Sequence, residues 1–335
     1  MPAIRRILVA VKDPDSRSLP SIAKAARLAK GFGAKLILFH AITDLVSSDA
    51  YFYAHGDVKR VHRDTMAHYQ KRLEALAERL REQDIDVRVC AAWDYPAHEA
   101  IVRHARKHKA DLIVAECHAG KRLAPWLLHL TDWELLRTSP VPVLLVKTGA
   151  TWTDLSVLAA IDPSHRFAKP ARLDARILDS ASEFARALEG TLHVVHSYIP
   201  VPAGSVPMAG ASALLVTQIA EGSLAHAKDG LKTALAGARI PRERQHLVQG
   251  APAETIPRLA QQMGSALVVM GAISRSGLKR LLIGNTAERI LNSLTADVLV
   301  VKPAEFKTRV AQRGRGIHYV GLPTVRMAAG EVQVE

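Results

Sequence analysis

Residues 99–147, EAIVRHARKHKADLIVAECHAGKRLAPWLLHLTDWELLRTSPVPVLLVK, and residues 254–302, ETIPRLAQQMGSALVVMGAISRSGLKRLLIGNTAERILNSLTADVLVVK, lie on one another without a gap. Glu99 meets Glu254, Ile101 meets Ile256, Arg103 meets Arg258 and Ala105 meets Ala260; farther on, Leu112 meets Leu267, Leu123 meets Leu278, Thr131 meets Thr286 and Lys147 meets Lys302. A repeat of this length decides the architecture before any motif does, because each copy must build the same supersecondary unit. Upstream the similarity continues, with 36–40 resembling 192–196 and 7–11 resembling 157–161.

Inside each copy, short β-branched runs alternate with longer stretches of helical period, the pattern of a parallel sheet with crossover helices. The first copy predicts strands at 7–11, 35–39, 87–91, 112–115 and 143–146, with helices at 20–30, 58–82, 97–108 and 131–137. The second predicts strands at 157–161, 192–195, 245–248, 267–270 and 298–301, with helices at 173–188, 214–235, 254–263 and 286–294. Leu173, Ile177, Ala181, Phe184 and Leu188 recur every three or four residues and so should face the sheet. The expected fold class is α/β: two tandem five-stranded parallel-sheet domains of Rossmann-like type, at 1–149 and 155–305, rather than one sheet running through both. Residues 148–154 are the natural linker, and 306–335 form a basic tail that is loosely ordered or draped over the other domain.

With 335 residues, 48% hydrophobic and 23% charged, the chain has the composition of a globular protein and the length for two domains. No apolar run approaches the roughly 18 to 20 residues that cross a bilayer, and 7–11 is too short for a signal peptide, so a cytoplasmic location is expected. Cys90 and Cys117 fall in strand-like runs without Cys-x-x-Cys spacing and read as buried thiols. The net charge of +13 suits nucleic acid or an anionic surface. Much of that charge is interleaved with acidic residues, however, and neither a stacking platform nor a docking motif accompanies it, so no specific nucleic-acid partner is expected.

In doubly wound sheets ligands bind beyond the carboxyl ends of the strands, where strand order reverses. The fourth strand of the second copy runs into Gly271, Ser274, Gly277, Gly284, Asn285 and Thr286 just as a helix begins. Glycines there allow close backbone approach, and amides at a helix start suit an anion, with Asn285 as the expected N-cap. This segment resembles the signature of universal stress proteins, whose nucleotide-binding members carry Gly-x2-Gly-x9-Gly and then a small polar residue. Gly271 matches the first glycine, Gly284 the third and Asn285 the polar residue, while Ser274 stands where the second glycine belongs. The phrases Thr131–Leu136 and Gly284–Glu288 are similar to those of the tandem universal stress protein E group, and the resemblance covers about residues 4–305. It implies that Asp162, Ser197 and Met270 line an adenine and ribose pocket, that the glycine loop takes the phosphates of ATP or a related adenine nucleotide with magnesium, and that domains pair through their last strands. A tandem chain can make that pairing within itself; a homodimer is a further expectation.

The first copy reads as the degenerate one. Gly271, Ser274, Gly284 and Asn285 face Glu116, Ala119, His129 and Leu130, so a carboxylate replaces a glycine and the flexible turn is gone. Trp126 and Trp133 are expected to fill the space by packing. No zinc-protease pattern, Walker loop or placed catalytic base appears, and the histidines from His55 to His68 lie on a mixed-charge helix, so neither turnover nor a metal is assigned. Two functions stay open: a nucleotide-responsive stress or signalling module acting on protein partners, or a carrier or scaffold for an apolar ligand or a protein. The second is motivated by the nearly uncharged 201–216 and by Tyr51, Phe52 and Tyr53.

Overall fold

A computed structural model describes residues 3–43, 46–47, 58–117, 125–164, 172–200, 213–271, 285–316 and 319–320. The first half runs β1 (Arg6–Ala10), α1 (Pro20–Phe32), β2 (Lys35–Ile42), the two-residue β3 (Val46–Ser47), α2 (Val58–Arg81), β4 (Val87–Trp93), α3 (Ala97–Lys107), β5 (Leu112–Glu116), α4 (Pro125–Thr138) and β6 (Val143–Val146). The second runs β7 (Ser156–Ile161), α5 (Leu173–Ala187), β8 (Thr191–Tyr198), α6 (Ala213–Ala234), β9 (Gln245–Gln249), α7 (Pro252–Gln262), β10 (Leu267–Gly271), α8 (Asn285–Ser293) and β11 (Asp297–Val301), followed by β12 (Tyr319–Val320). All ten expected strands are present. The one helix that departs clearly is α4, which starts six residues before 131, at Pro125, whose fixed φ and missing amide suit a first helical turn.

Strand order is β4-β2-β1-β5-β6-β11-β10-β7-β8-β9, so each half reverses direction at its first strand. The pairing through last strands that the resemblance implied occurs within the chain, β6 and β11 running antiparallel with Leu144 opposite Leu299, and it corrects the expectation of two separate sheets: one ten-stranded sheet runs through both halves. The physical reason is that each half ends on an edge strand whose amides and carbonyls need partners, and the two last strands satisfy one another. The other neighbouring pairs in this sheet are parallel. Alternate residues of the strands feed two apolar layers. Helices α1, α2, α5 and α6 cover one face, and α3, α4, α7 and α8 cover the other. The predicted stripe on α5 is buried as expected from Leu173 through Leu188.

The halves also meet through side chains. Asp297 at the start of β11 is fully buried and accepts from Lys24 Nζ at 2.5 Å, Trp152 Nε1 at 2.8 Å and the amides of Lys147 at 2.8 Å and Thr148 at 3.2 Å. Phe32 meets Phe184 edge to face, with centroids 5.3 Å apart. Beyond β11 the chain returns to the first half, where Val310 is buried in the apolar layer under α3 and β12 pairs with β3. Of the two expectations for the tail, draping holds for the described part.

Candidate functional site

The reversal of strand order in the second half falls between β7 and β10, paired from Leu267 with Val157 to Met270 with Ala160. Their carboxyl ends carry Asp162 and Gly271, and this is where a ligand would enter. Asp162 is half-buried, and its amide donates to Asp174 Oδ1 at 3.2 Å, which ties the strand end to the first turn of α5. His196 on the neighbouring β8 is buried; its Nδ1 lies 3.3 Å from the Ile161 carbonyl and its Nε2 2.9 Å from Ser164 Oγ. A carbonyl only accepts, so the proton sits on Nδ1 and Nε2 accepts from the serine. His40 repeats the latch in the first half, its Nδ1 2.8 Å from the Val11 carbonyl. These histidines hold strand ends together.

Ser197, on the opposite face of β8, is buried and donates to the Gly250 carbonyl at 2.7 Å, while Thr255 Oγ1 lies 2.9 Å from its oxygen. Its hydroxyl proton is therefore used to fix the turn between β9 and α7. Met270 is 4% exposed and belongs to the apolar layer beneath α7 and α8. Gly271 has its own explanation: a Cβ there would stand 2.6 Å from Leu173 Cδ2 and 3.3 Å from Ile177 Cδ1, so α5 packs where a side chain would go. Ser274, Gly277 and Gly284 lie outside the described residues, as do 201–212 and Tyr51, Phe52 and Tyr53. Asn285, expected as the cap, is instead the first residue of α8, one position further along because the helix starts directly after Gly284; Thr286 follows it, exposed.

Helix α8 points its first turn at this end of the sheet and carries Glu288 there, a charge that by itself would oppose a phosphate. Arg137 at the end of α4 offsets part of it, its Nη2 donating to Glu288 Oε1 at 2.9 Å while Nη1 binds Glu134 at 2.7 Å, so that one cation is shared between two carboxylates. The first half thus supplies a cation to the helix start of the second. No single-chain pattern announces that contact.

In the first half the corresponding place is built differently. Glu116 ends β5 and accepts from Ser21 Oγ at 3.3 Å, and α4 begins on the sequence that matches the glycine loop. Trp133 packs half-buried against the apolar layer, as expected; the side chain of Trp126 lies outside the described residues. Of the histidine-rich stretch, His68 lies 3.2 Å from Asp15 and His62 meets Trp93 at a tilt of 54° with ring centroids 5.1 Å apart. A different cluster, Asp94, Glu99 and Arg103, has no signature in the sequence. Arg103 grips Asp94 with two bonds of 2.6 and 2.8 Å, and the tail closes over it, the Arg315 amide donating to Asp94 Oδ1 at 2.8 Å and its Nη2 to Glu99 Oε1 at 2.8 Å. The acidic residue and the tail arginine are 221 positions apart, too far for any local signal.

Comparison with known proteins agrees with the topology. The model of the family described as Universal stress protein family matches residues 3–147 and again 157–302. Universal stress protein E of Escherichia coli K12 is 24% identical over 310 residues, 92% of this chain and 97% of that protein, and that of Photorhabdus laumondii is 24% identical over 304 residues, 90% and 96%. Among solved structures, a functionally unknown protein from Pseudomonas aeruginosa PAO1 superposes with a TM-score of 0.70 at 29% identity, covering 90% of this chain and 94% of its own. A putative universal stress protein from Pseudomonas aeruginosa UCBPP-PA14 gives 0.68 at 27%, covering 90% and 95%.

Proposed function

The chain belongs to the universal stress protein family, and from that premise we propose that it is a nucleotide-responsive stress or signalling module whose second half binds ATP or a related adenine nucleotide with magnesium. The observation that carries the reading is the asymmetry at the two switch points. In the second half Asp162 follows β7 and Gly271 ends β10, and α8 offers its first amides with the charge of Glu288 partly offset by Arg137. In the first half the same place holds Glu116 and an extended α4.

The described residues fit an adenine nucleotide in part. By this reading Asp162 accepts from a ribose hydroxyl or a base amine, and the amides from Asn285 to Glu288 are the phosphate donors. Ser197 and Met270 support this reading only as the floor and wall of the pocket, since one is hydrogen-bonded inside the fold and the other is buried. Binding would bias the contacts that the two halves make with protein partners in the cytoplasm. The family domains, by this reading, are residues 1–149 and 155–305.

Titration calorimetry with ATP and magnesium tests it, on protein freed of retained ligand. Wild type is expected to bind, Gly284→Val to lose binding, His129→Ala to keep it, and Ser274→Gly to bind more tightly. No heat with either wild type or Ser274→Gly would favour the carrier or scaffold reading.

A further inference from the structure

At the outer edge of the first half, α3 and the residue that caps its end present His104 and His108, four residues and about one turn apart. Strand β4 presents Cys90 to the same place, where the sulfur packs half-buried against the apolar layer. Cys90 Sγ lies 3.6 Å from His104 Nδ1. Zinc bonds of about 2.3 Å to sulfur and about 2.0 Å to nitrogen, set at a tetrahedral angle, place those two atoms about 3.5 Å apart. One ring nitrogen of each histidine and the cysteine sulfur all lie within 4.8 Å of one another. His108 Nε2 is buried and has no hydrogen-bond partner. We propose that Cys90, His104 and His108 bind a borderline transition-metal ion of the zinc type, with the fourth position left to water.

The internal repeat sharpens the case. At the positions matching His104 and His108, α7 and its C-cap carry Leu259 and Met263, and Leu259 packs half-buried against the apolar layer. The fold therefore accepts apolar side chains at this place, and the first half has two imidazoles there beside a thiol. His104 is held flat against Phe39, with ring centroids 4.1 Å apart, which fixes the ring and the direction of Nδ1. A cavity of about 610 Å³ beneath the tail, lined by His104 together with Asp94 and Gly314, gives an entry path and room for the water. Thiolate with two imidazoles suits zinc over magnesium or calcium, which prefer oxygen. Lys107 and Arg88 add positive charge nearby and oppose a dication, so the expected affinity is micromolar rather than tighter. Binding replaces the Cys90 sulfur–hydrogen bond by a sulfur–metal bond and releases one proton to solvent; no electron moves.

The test uses the full chain, reduced and stripped with chelator, titrated with Co2+. One equivalent is expected to produce a near-ultraviolet thiolate-to-cobalt band and the visible bands of a tetrahedral ion, both bleached by Zn2+. Cys90→Ser should abolish the near-ultraviolet band. His104→Leu and His108→Met, which import the residues of the second half, should weaken binding about 100-fold or more while leaving the melting curve of the metal-free protein in place. On wild type alone, Zn2+ should protect Cys90, and not Cys117, from alkylation mapped by mass spectrometry. A thiolate band that survives Cys90→Ser, unchanged affinity in both histidine variants, or Cys90 alkylated equally fast with and without Zn2+ would overturn the proposal. None of these outcomes bears on nucleotide binding in the second half.

Discussion

Lys24 Nζ of the first half stands 2.5 Å from Asp297 Oδ2 of the second, with the two side chains 5% and 0% exposed. The pair has no counterpart across the repeat. Pro142 occupies the place matching Asp297, and Ser180, whose hydroxyl turns back to the Arg176 carbonyl at 2.7 Å, occupies that of Lys24. This buried ion pair, like the half-exposed pair of Arg137 with Glu288, thus departs from the symmetry of the repeat. It is buried, so its value lies in what breaking it would cost: four donors aim at this one carboxylate.

Asp297→Asn keeps the shape but turns an amide donor toward Lys24 and Trp152. A loss of about 3–5 kcal/mol is expected, within the range for a buried charge left without its partner. Adding Lys24→Met should recover more than 1 kcal/mol of it, roughly the coupling of contacting residues. Urea denaturation of the two single variants and the double variant measures this. Strict additivity would mean that the pair does not act as a unit.

Gly31 lies inside α1, where alanine ordinarily stabilises by about 1 kcal/mol. Here a Cβ would fall 2.2 Å from the Ala187 carbonyl oxygen at the end of α5, a contact that only backbone movement relieves. The clash should win, and Gly31→Ala should destabilise by about 1–3 kcal/mol, the usual cost of overpacking. A melting temperature at or above that of wild type would show that α1 and α5 can separate freely.

Lys147 and Lys302 are matched in the repeat but not in surroundings. Lys147 donates to the carbonyls of Leu291, at 2.6 Å, and Leu294. Lys302 lies over the Phe306 ring at 4.8 Å, and burial pushes its ammonium down to about 8. In the unfolded chain a lysine holds its proton up to about 10.4, so the unfolded state binds it more tightly and stability rises as pH climbs between those two values. Below them the penalty is complete and on the order of 3 kcal/mol. Lys302→Met should therefore stabilise at neutral pH by about 1–2 kcal/mol and flatten the alkaline rise, whereas Lys147→Met should destabilise by a similar amount by stranding two carbonyls. Chemical denaturation from pH 7 to 10 separates them. Equal effects of the two changes would contradict the assignment.

The tail is a strap. Ending the chain at residue 306 removes buried Val310, its carbonyl bond from Arg106 at 3.0 Å, and both Arg315 contacts with Asp94 and Glu99. A loss of about 2–4 kcal/mol is expected, with the apolar share near 2. Because Arg315 is used inside the molecule, the deletion should change nucleic-acid retention little at physiological salt. Differential scanning calorimetry and a filter-binding assay check both halves of the prediction, and submicromolar nucleic-acid binding lost with the tail would reverse it.

Residue patterns alone determined the ten strands, the eight helices around them among the described residues, and the strand ends at which the chain order reverses in the second half. Those properties are local: a period of two or 3.6, a break at glycine or proline, and a loop after a strand are all written within a dozen residues. The repeat added the comparison that marked Glu116 and His129 as departures. Tertiary structure decided what depends on distant partners. It turned the expected pairing of last strands, β6 with β11, into one continuous sheet, and it set Lys24 against Asp297, Arg137 against Glu288 and Arg315 against Asp94. It also gave Gly271 a packing reason and turned Ser197 inward, because what a side chain meets depends on which helix lies across its strand. Cys90, His104 and His108 were unreadable for the same cause. Their spacing of fourteen and four residues carries meaning only once α3 folds back over β4 and brings a thiol within reach of two imidazoles.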